Sequence, residues 1–201
     1  MKTIVSYSVM GILLFIGGCG IPRQPAAAQT VLLLTDTPDT QPSVALAECL
    51  RVRTVRAAAP FTGAALLYRT GERTYEKDYY NSFAAAPDKQ LNALLAARLK
   101  AAGITICPDG IRGDRRLTLE PHLEGLYADF TQPTSPFATA KMRFVLTAYD
   151  NSCRCGSIVF DRTFEATASL PTKPTAEAVV AAMSAAVGDV LRQGVEQLGK
   201  E

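Results

Sequence analysis

An α+β domain, in which a mostly antiparallel sheet carries two main helices packed on one face, is the fold class that the sequence predicts. Apolar residues recur at helical spacing in two segments, near residues 87–102 and 175–198, and three long segments between them alternate with the period of a strand. Pro, Gly and Asp clusters separate these segments, which keeps the helices and strands distinct along the chain.

Taken in order, Thr30 to Thr35 is rich in Val and Leu and reads as a first strand, followed by a Pro/Asp/Thr loop through Pro42. Within Leu46 to Val55, Leu50 and Val52 alternate with Arg51 and Arg53, the repeat of a strand with one covered face. Ala64 to Arg69 and Arg73 to Asp78 read as a hairpin across Thr70-Gly71-Glu72. From Pro87 to Ala102 the period becomes helical: Leu91, Leu94, Leu95 and Leu99 share one stripe, while Lys89, Asn92, Arg98 and Lys100 fall elsewhere. Pro87 suits the first helical turn and Gly103 ends the helix. Ile104 to Cys107 is a short strand.

Three longer strands follow, Arg116 to Phe130, Ala138 to Tyr149 and Ser157 to Ala168. Met142, Phe144, Leu146 and Ala148 form one wall, and Ile158, Phe160, Phe164 and Ala166 another. In the first of the three, Leu117, Leu119 and Leu123 are odd-numbered but Leu126, Ala128 and Phe130 are even. A bulge between Pro121 and Gly125 restores the buried side after that slip. The second helix runs from Thr175, a suitable N-cap, to about Leu198, with Val179, Val180, Met183, Val187, Val190, Leu191, Val195 and Leu198 on its stripe.

Composition narrows the function classes. The 201 residues are 48% hydrophobic and 20% charged, with 21 Lys plus Arg against 19 Asp plus Glu, a net charge of +2. A chain this close to neutral lacks the concentrated basic face that nucleic acid requires, so no nucleic-acid partner is expected. One histidine and no tryptophan leave few general bases, metal ligands or stacking platforms. There is no Gly-rich phosphate loop and no Gly-x-Ser-x-Gly elbow, and any serine triad would depend on His122. No catalytic residue, metal or cofactor is expected, and His122 reads as a structural residue at the bulge.

The N-terminus has its own logic. Met1-Lys2 precedes a mostly apolar run from Ile4 to Ile16, shorter than the roughly 20 residues that cross a bilayer and suited to a signal-peptide core. Ile16-Gly17-Gly18-Cys19 resembles the lipobox of bacterial lipoproteins, in which cleavage before the cysteine leaves that cysteine to carry the lipid. Residues 1–18 are then a signal peptide and 19–29 a lipid-anchored tether containing Pro22, Pro25 and Ala26-Ala27-Ala28. Residues 30–201 form a single domain. Cleavage removes Lys2 and lowers the net charge from +2 to +1. Gly20 replaces the Asp that, by the usual enterobacterial sorting rule, retains a lipoprotein in the inner membrane. The expected location is therefore the periplasmic face of the outer membrane.

Besides Cys19 the chain has Cys49, Cys107, Cys153 and Cys155, an even number that fits an oxidising compartment and allows three pairings. A Cys49 to Cys107 bridge is permitted if their strands are neighbours, which leaves Cys153 and Cys155 to each other. Cys153-Arg154-Cys155 has two readings, a structural staple and a redox dithiol beside a cation. The staple is preferred, because this Cys-x-Cys precedes a strand instead of opening a helix. His122 with the cysteine pair offers three metal ligands, separated in sequence by some 30 residues, where zinc takes about four. Of the aromatic stretch, Phe83 is assigned to the core and Tyr79 and Tyr80 to a partner-contact surface.

The run Leu66-Leu67-Tyr68-Arg69, then Tyr79-Tyr80-Asn81-Ser82-Phe83, then Pro87 and the Leu-rich helix through Leu99, resembles the ABC-type transport auxiliary lipoproteins. In that family a strand ending in Tyr-Arg leads to an aromatic-rich turn, a Trp or Phe, a Pro and the first helix. Lipobox, tether, strand order and C-terminal helix fall in the same sequence. Cys153 and Cys155 depart from the family's pattern. The resemblance implies a non-catalytic accessory component of an MCE-type lipid transport system, docking or receiving the periplasmic MCE-domain protein at the outer membrane, as a ring-shaped homo-oligomer. The competing reading is an envelope assembly or maintenance lipoprotein unrelated to transport.

Overall fold

Leucines three and four residues apart, behind a proline at the first turn, give the first helix its buried stripe. In the computed structural model, which describes residues 29–38, 49–107 and 115–200, this helix is α1, Pro87–Ala101. Leu91, Leu95 and Leu99 are buried in it and Leu94 is half-buried. Ahead of it lie β1 (Thr30–Leu32), β2 (Leu50–Val52), β3 (Arg56–Ala57), β4 (Ala65–Arg69) and β5 (Tyr75–Phe83). After it come β6 (Arg115–Asp129), β7 (Phe137–Asp150), β8 (Cys155–Ser169) and the second helix α2, Ala176–Leu198. Thr175 caps α2, its hydroxyl accepting from the Ala178 amide at 3.3 Å.

Among the described residues these strands make one sheet in the order β1-β5-β4-β6-β7-β8, with β2 and β3 also on β6. The sheet is mixed, which corrects the mostly antiparallel expectation. The β4/β5, β6/β7 and β7/β8 pairs are antiparallel, but β1 runs parallel to β5, and β2, β3 and β4 run parallel to β6. The chain reverses at the β4/β5 hairpin and returns through β5 and α1 before entering β6, so β2, β3 and β4, which precede that reversal, meet β6 in its own direction. One edge of β6 is thus paired by three short segments in turn, around Leu117–Leu119, His122–Leu123 and Ala128–Asp129.

Both helices share one core with the sheet's inner face. Leu119, Leu123 and Leu126 of β6, Met142, Phe144 and Leu146 of β7, and Phe160 of β8 join the α1 leucines and Val179, Met183, Val187, Val190 and Leu191 of α2. Burial of this apolar surface is the main stabilising term, about 25 cal/mol per Å². The 23 residues of α2 are long and apolar enough to cross a bilayer, but most of its apolar window is buried in the protein. At Gly194 a Cβ would meet the Phe144 ring at 2.8 Å, so glycine permits this close approach of helix to sheet. On the outer face, Lys141 pairs with Glu165 at 3.6 Å and Arg143 pairs with Asp161. That surface is charged and solvated.

The parity slip in β6 falls at Glu124, between Leu123 and Gly125, and keeps Leu119, Leu123, Leu126 and Ala128 on the core side. A second slip corrects the β8 expectation. Leu146 pairs with Phe160 but Thr147 pairs with Ile158, so Val159 is the extra residue and Ile158 turns outward, 64% exposed. Two further expectations shrink. Of the Leu46 to Val55 strand only β2, Leu50–Val52, is formed among the described residues, with residues 46–48 outside the described range and β3 beginning just beyond it at Arg56, and the Ile104 to Cys107 strand is one parallel bridge, Leu50 to Ile106. Arg98, expected off the buried stripe, is buried and bonds Asp36 bidentately, Nε to Oδ2 at 2.8 Å and Nη2 to Oδ1 at 2.6 Å. Asp36 follows β1 and reaches the helices there, where Gly188 of α2 leaves room for its carboxylate.

Candidate docking site

The β4/β5 hairpin contains the largest irregularity of the described sheet. Ala65 pairs with Ser82 and Leu67 with Lys77, so the four residues from Asp78 to Asn81 stand opposite Leu66 alone. Asp78 organises the excess. Its Oδ1 accepts from the backbone amides of Tyr80 at 2.8 Å and Asn81 at 3.0 Å. Its Oδ2 accepts from the Asn81 side-chain amide at 2.9 Å and the Tyr68 hydroxyl at 2.6 Å. An aspartate bonding the backbone two and three residues ahead is a local motif that holds a turn without help from the ladder.

The electrostatics agree with this geometry. Burial pushes the Asp78 carboxyl up, but the bonds from Tyr68, Asn81 and Tyr80 outweigh it and hold the group below its ordinary value. Burial pushes the Tyr68 phenol well up, and its bond to the Asp78 carboxylate, with that group's charge, pushes the same way. The pair is held as a carboxylate and a neutral phenol over a wide pH range.

Tyr79 and Tyr80 occupy the crest of this bulge. They are 87% and 62% exposed, whereas Phe83, four and three residues on, is 3% exposed and packs in the core. Val31 and Leu33, in and just after the neighbouring strand β1, are also exposed, and β1 pairs with β5 at Thr30 to Asn81, Val31 to Ser82 and Leu32 to Phe83. The outcome is an apolar and aromatic edge on a rigid mount. Aromatic side chains presented this way suit a protein partner, because little conformational freedom is lost on contact. Tyr68, Asp78 and Asn81, which shape the bulge, were not among the sequence candidates; the signal for them is an Asp followed two residues later by the exposed tyrosine.

A second cluster lies beside it. Phe61 stacks near Tyr127 at 6.2 Å between centroids and meets Tyr75 edge-on at 6.3 Å, and Tyr75 meets Tyr127 edge-on at 5.4 Å. Arg69 bonds the buried Asp129 carboxylate at 3.1 Å. Burial raises the Asp129 carboxyl, but Thr131 and Arg69 outweigh it and hold it below its ordinary value.

The remaining candidates are dispersed. Cys49 and Cys107 form a disulfide with Cα atoms 5.0 Å apart, next to the Leu50 to Ile106 bridge. Cys153 and Cys155 form another, 5.2 Å between Cα atoms, at the β7/β8 turn. His122 is half-buried on β6, paired with Arg143 of β7 and Arg56 of β3, far in sequence from either. Among the described residues, no three His, Cys, Asp or Glu side chains gather into a group that could hold a metal ion. Cys19 and the tether up to residue 28 lie outside the described residues, as does the signal peptide.

No protein-family model and no curated protein matches the sequence. Solved structures do resemble the fold. A protein from Xanthomonas campestris assigned to the family DUF330 aligns with a TM-score of 0.67 at 20% identity, over 85% of this chain and 93% of that one. An uncharacterised protein aligns with a TM-score of 0.61 at 14% identity, over 85% of this chain and 99% of that one. A minor lipoprotein from Acinetobacter baumannii aligns more weakly, with a TM-score of 0.45 at 14% identity over 77% of this chain and 95% of that one. The two stronger likenesses establish a shared fold.

Proposed function

We propose that this chain is a lipoprotein anchored through Cys19 at the periplasmic face of the outer membrane, where it docks or receives the MCE-domain component of an ABC-type lipid transport system and catalyses no step of the transport itself. The observation that carries this reading is the Asp78-centred bulge, which spends four hydrogen bonds on presenting Tyr79 and Tyr80 to solvent. A bulge whose only local product is two exposed aromatic rings is costly to fold and useful for contact.

Further support comes from the sequence. The lipobox at Ile16-Gly17-Gly18-Cys19 resembles that of lipid-anchored proteins, and the Tyr68-Arg69 strand end, the aromatic turn and Pro87 resemble the transport auxiliary lipoproteins. Thr30 pairs with Asn81, so a tether from Cys19 joins the domain at the edge that bears the tyrosines. The energy for transport comes from the cytoplasmic ATPase, and this chain contributes position and a contact surface. A homo-oligomer would multiply that surface around the periplasmic partner.

The reading is tested by purifying the full lipidated chain in native detergent together with a co-expressed MCE-domain protein from the same genome. Co-elution of wild-type chain is expected, with loss of co-elution for Tyr79→Ala/Tyr80→Ala. That variant should keep its stability within about 0.5 kcal/mol, as exposed substitutions do. Absence of any wild-type association would remove the transport reading and leave the envelope-maintenance one.

A further inference from the structure

The two disulfides differ in what they hold together. Cys49 and Cys107 are 58 residues apart in sequence and tie β2 to the segment after α1. Cys153 and Cys155 are two apart, at the tip of a hairpin whose strands are already joined by the Asp150 to Cys155 pair. The entropy removed from the unfolded chain grows with the size of the closed loop, so this second crosslink has little to staple. Asp150 holds the turn independently, accepting from the Ser152 amide at 2.8 Å and the Ser152 hydroxyl at 2.6 Å.

Three further observations concern reactivity. Every residue from Asn151 to Ile158 is exposed, so both sulfurs lie on an open tip of the molecule. Arg154, enclosed by the two cysteines, has φ 52°, the only positive φ of a non-glycine residue among those described. A side chain with a Cβ is disfavoured in that left-handed region, and opening the ring frees the residue to leave it. Arg116 stands over the Tyr149 ring at 5.1 Å and bonds the Asn151 side chain at 3.3 Å, which brings one guanidinium to the base of the turn, and Arg154 adds a second cationic residue between the two cysteines in sequence. Positive charge in the neighbourhood of a thiol favours its thiolate form, the better leaving group in exchange.

We propose that Cys153–Cys155 is a thiol–disulfide exchange site that takes exposed protein thiols as its co-reactant. An incoming thiolate attacks the sulfur of one cysteine; the bond between Cys153 and Cys155 breaks and its electron pair leaves on the other sulfur as a thiolate. A mixed disulfide to the partner protein results. Attack by a second thiol of that protein on the mixed bond then releases a partner disulfide and the reduced Cys153 and Cys155. The partner loses two electrons and the pair gains them, with the two partner protons ending on the two freed sulfurs. The site is independent of the docking surface, which lies on β5.

The test is a redox titration of the full chain in glutathione buffers, with glutathione as the probe thiol and alkylation followed by peptide mapping as the readout. Cys153–Cys155 is expected to be half-reduced at a ratio of squared reduced to oxidised glutathione at least tenfold below the ratio that half-reduces Cys49–Cys107. A difference smaller than tenfold, or one in the opposite direction, overturns the proposal. The Cys153→Ser/Cys155→Ser variant separates exchange from stapling: its melting temperature should stay within about 2 °C of wild type. A larger fall marks a structural crosslink and overturns the proposal as well.

Discussion

Asp78 is the residue on which the shape of the exposed tyrosine edge depends. Replacing it by Ala leaves the Tyr68 hydroxyl and the Asn81 side chain without their acceptor, a loss of about 1–3 kcal/mol in unfolding free energy. The same two residues predict a pH profile. The folded Asp78 carboxyl titrates below its reference value of 3.8, so the stability it contributes is complete above that value and is lost as pH falls through the folded pKa. The Tyr68 phenol titrates above its reference value of 10.0, so its contribution is complete below pH 10.0 and is lost as pH rises further. Urea unfolding across pH should show both limbs; Tyr68→Phe should diminish the alkaline one, and an unchanged alkaline limb in that variant would refute the assignment. Arg98 marks the limit of residue-level reading. Its place off the leucine stripe implies solvent, but its partner Asp36 lies 62 residues earlier, and no local periodicity reports so distant a pairing.

At the level of elements, periodicity made most of the fold legible. The stripe of α2, its Thr175 cap and the slip in β6 follow from spacing alone, because a change of parity within one strand has a single cheap remedy. The slip at Val159 was hidden for the converse reason: Ile158, Phe160, Phe164 and Ala166 all keep even parity, and only pairing with β7 shows that Ile158 faces outward. The candidate site was half legible. Exposed tyrosines beside a core Phe83 can be expected from an aromatic turn that leads into the first helix, but parity puts Tyr79 and Phe83 on one face, and the bulge that separates them arises from the mismatch of β4 and β5 lengths across Leu66. Packing of α2 on the sheet supplies its own prediction. Gly194→Ala places a Cβ against the Phe144 ring and should destabilise by about 1–3 kcal/mol, measured by chemical unfolding, whereas Ala185→Ser on the exposed side should be near neutral.

For the whole molecule, strand direction was the feature that sequence did not convey. Alternation specifies which face of a strand is buried and says nothing about its partner, so the parallel pairs along β6 emerged only once β5 and α1 were seen as the return path between β4 and β6. On the proposed reading the chain works by position, and position depends on the Cys19 anchor. Cys19→Ala should move the chain from the membrane pellet to the soluble fraction, since acyl chains supply about 0.8 kcal/mol per buried methylene. Docking is the central claim, and its most direct measurement is the affinity of the full lipidated chain for the MCE-domain protein, determined in one detergent for wild type and for Tyr79→Ala/Tyr80→Ala. The account predicts at least tenfold weaker binding for the variant, roughly 1.4 kcal/mol shared between two aromatic anchors. Equal affinity for the two proteins would contradict it.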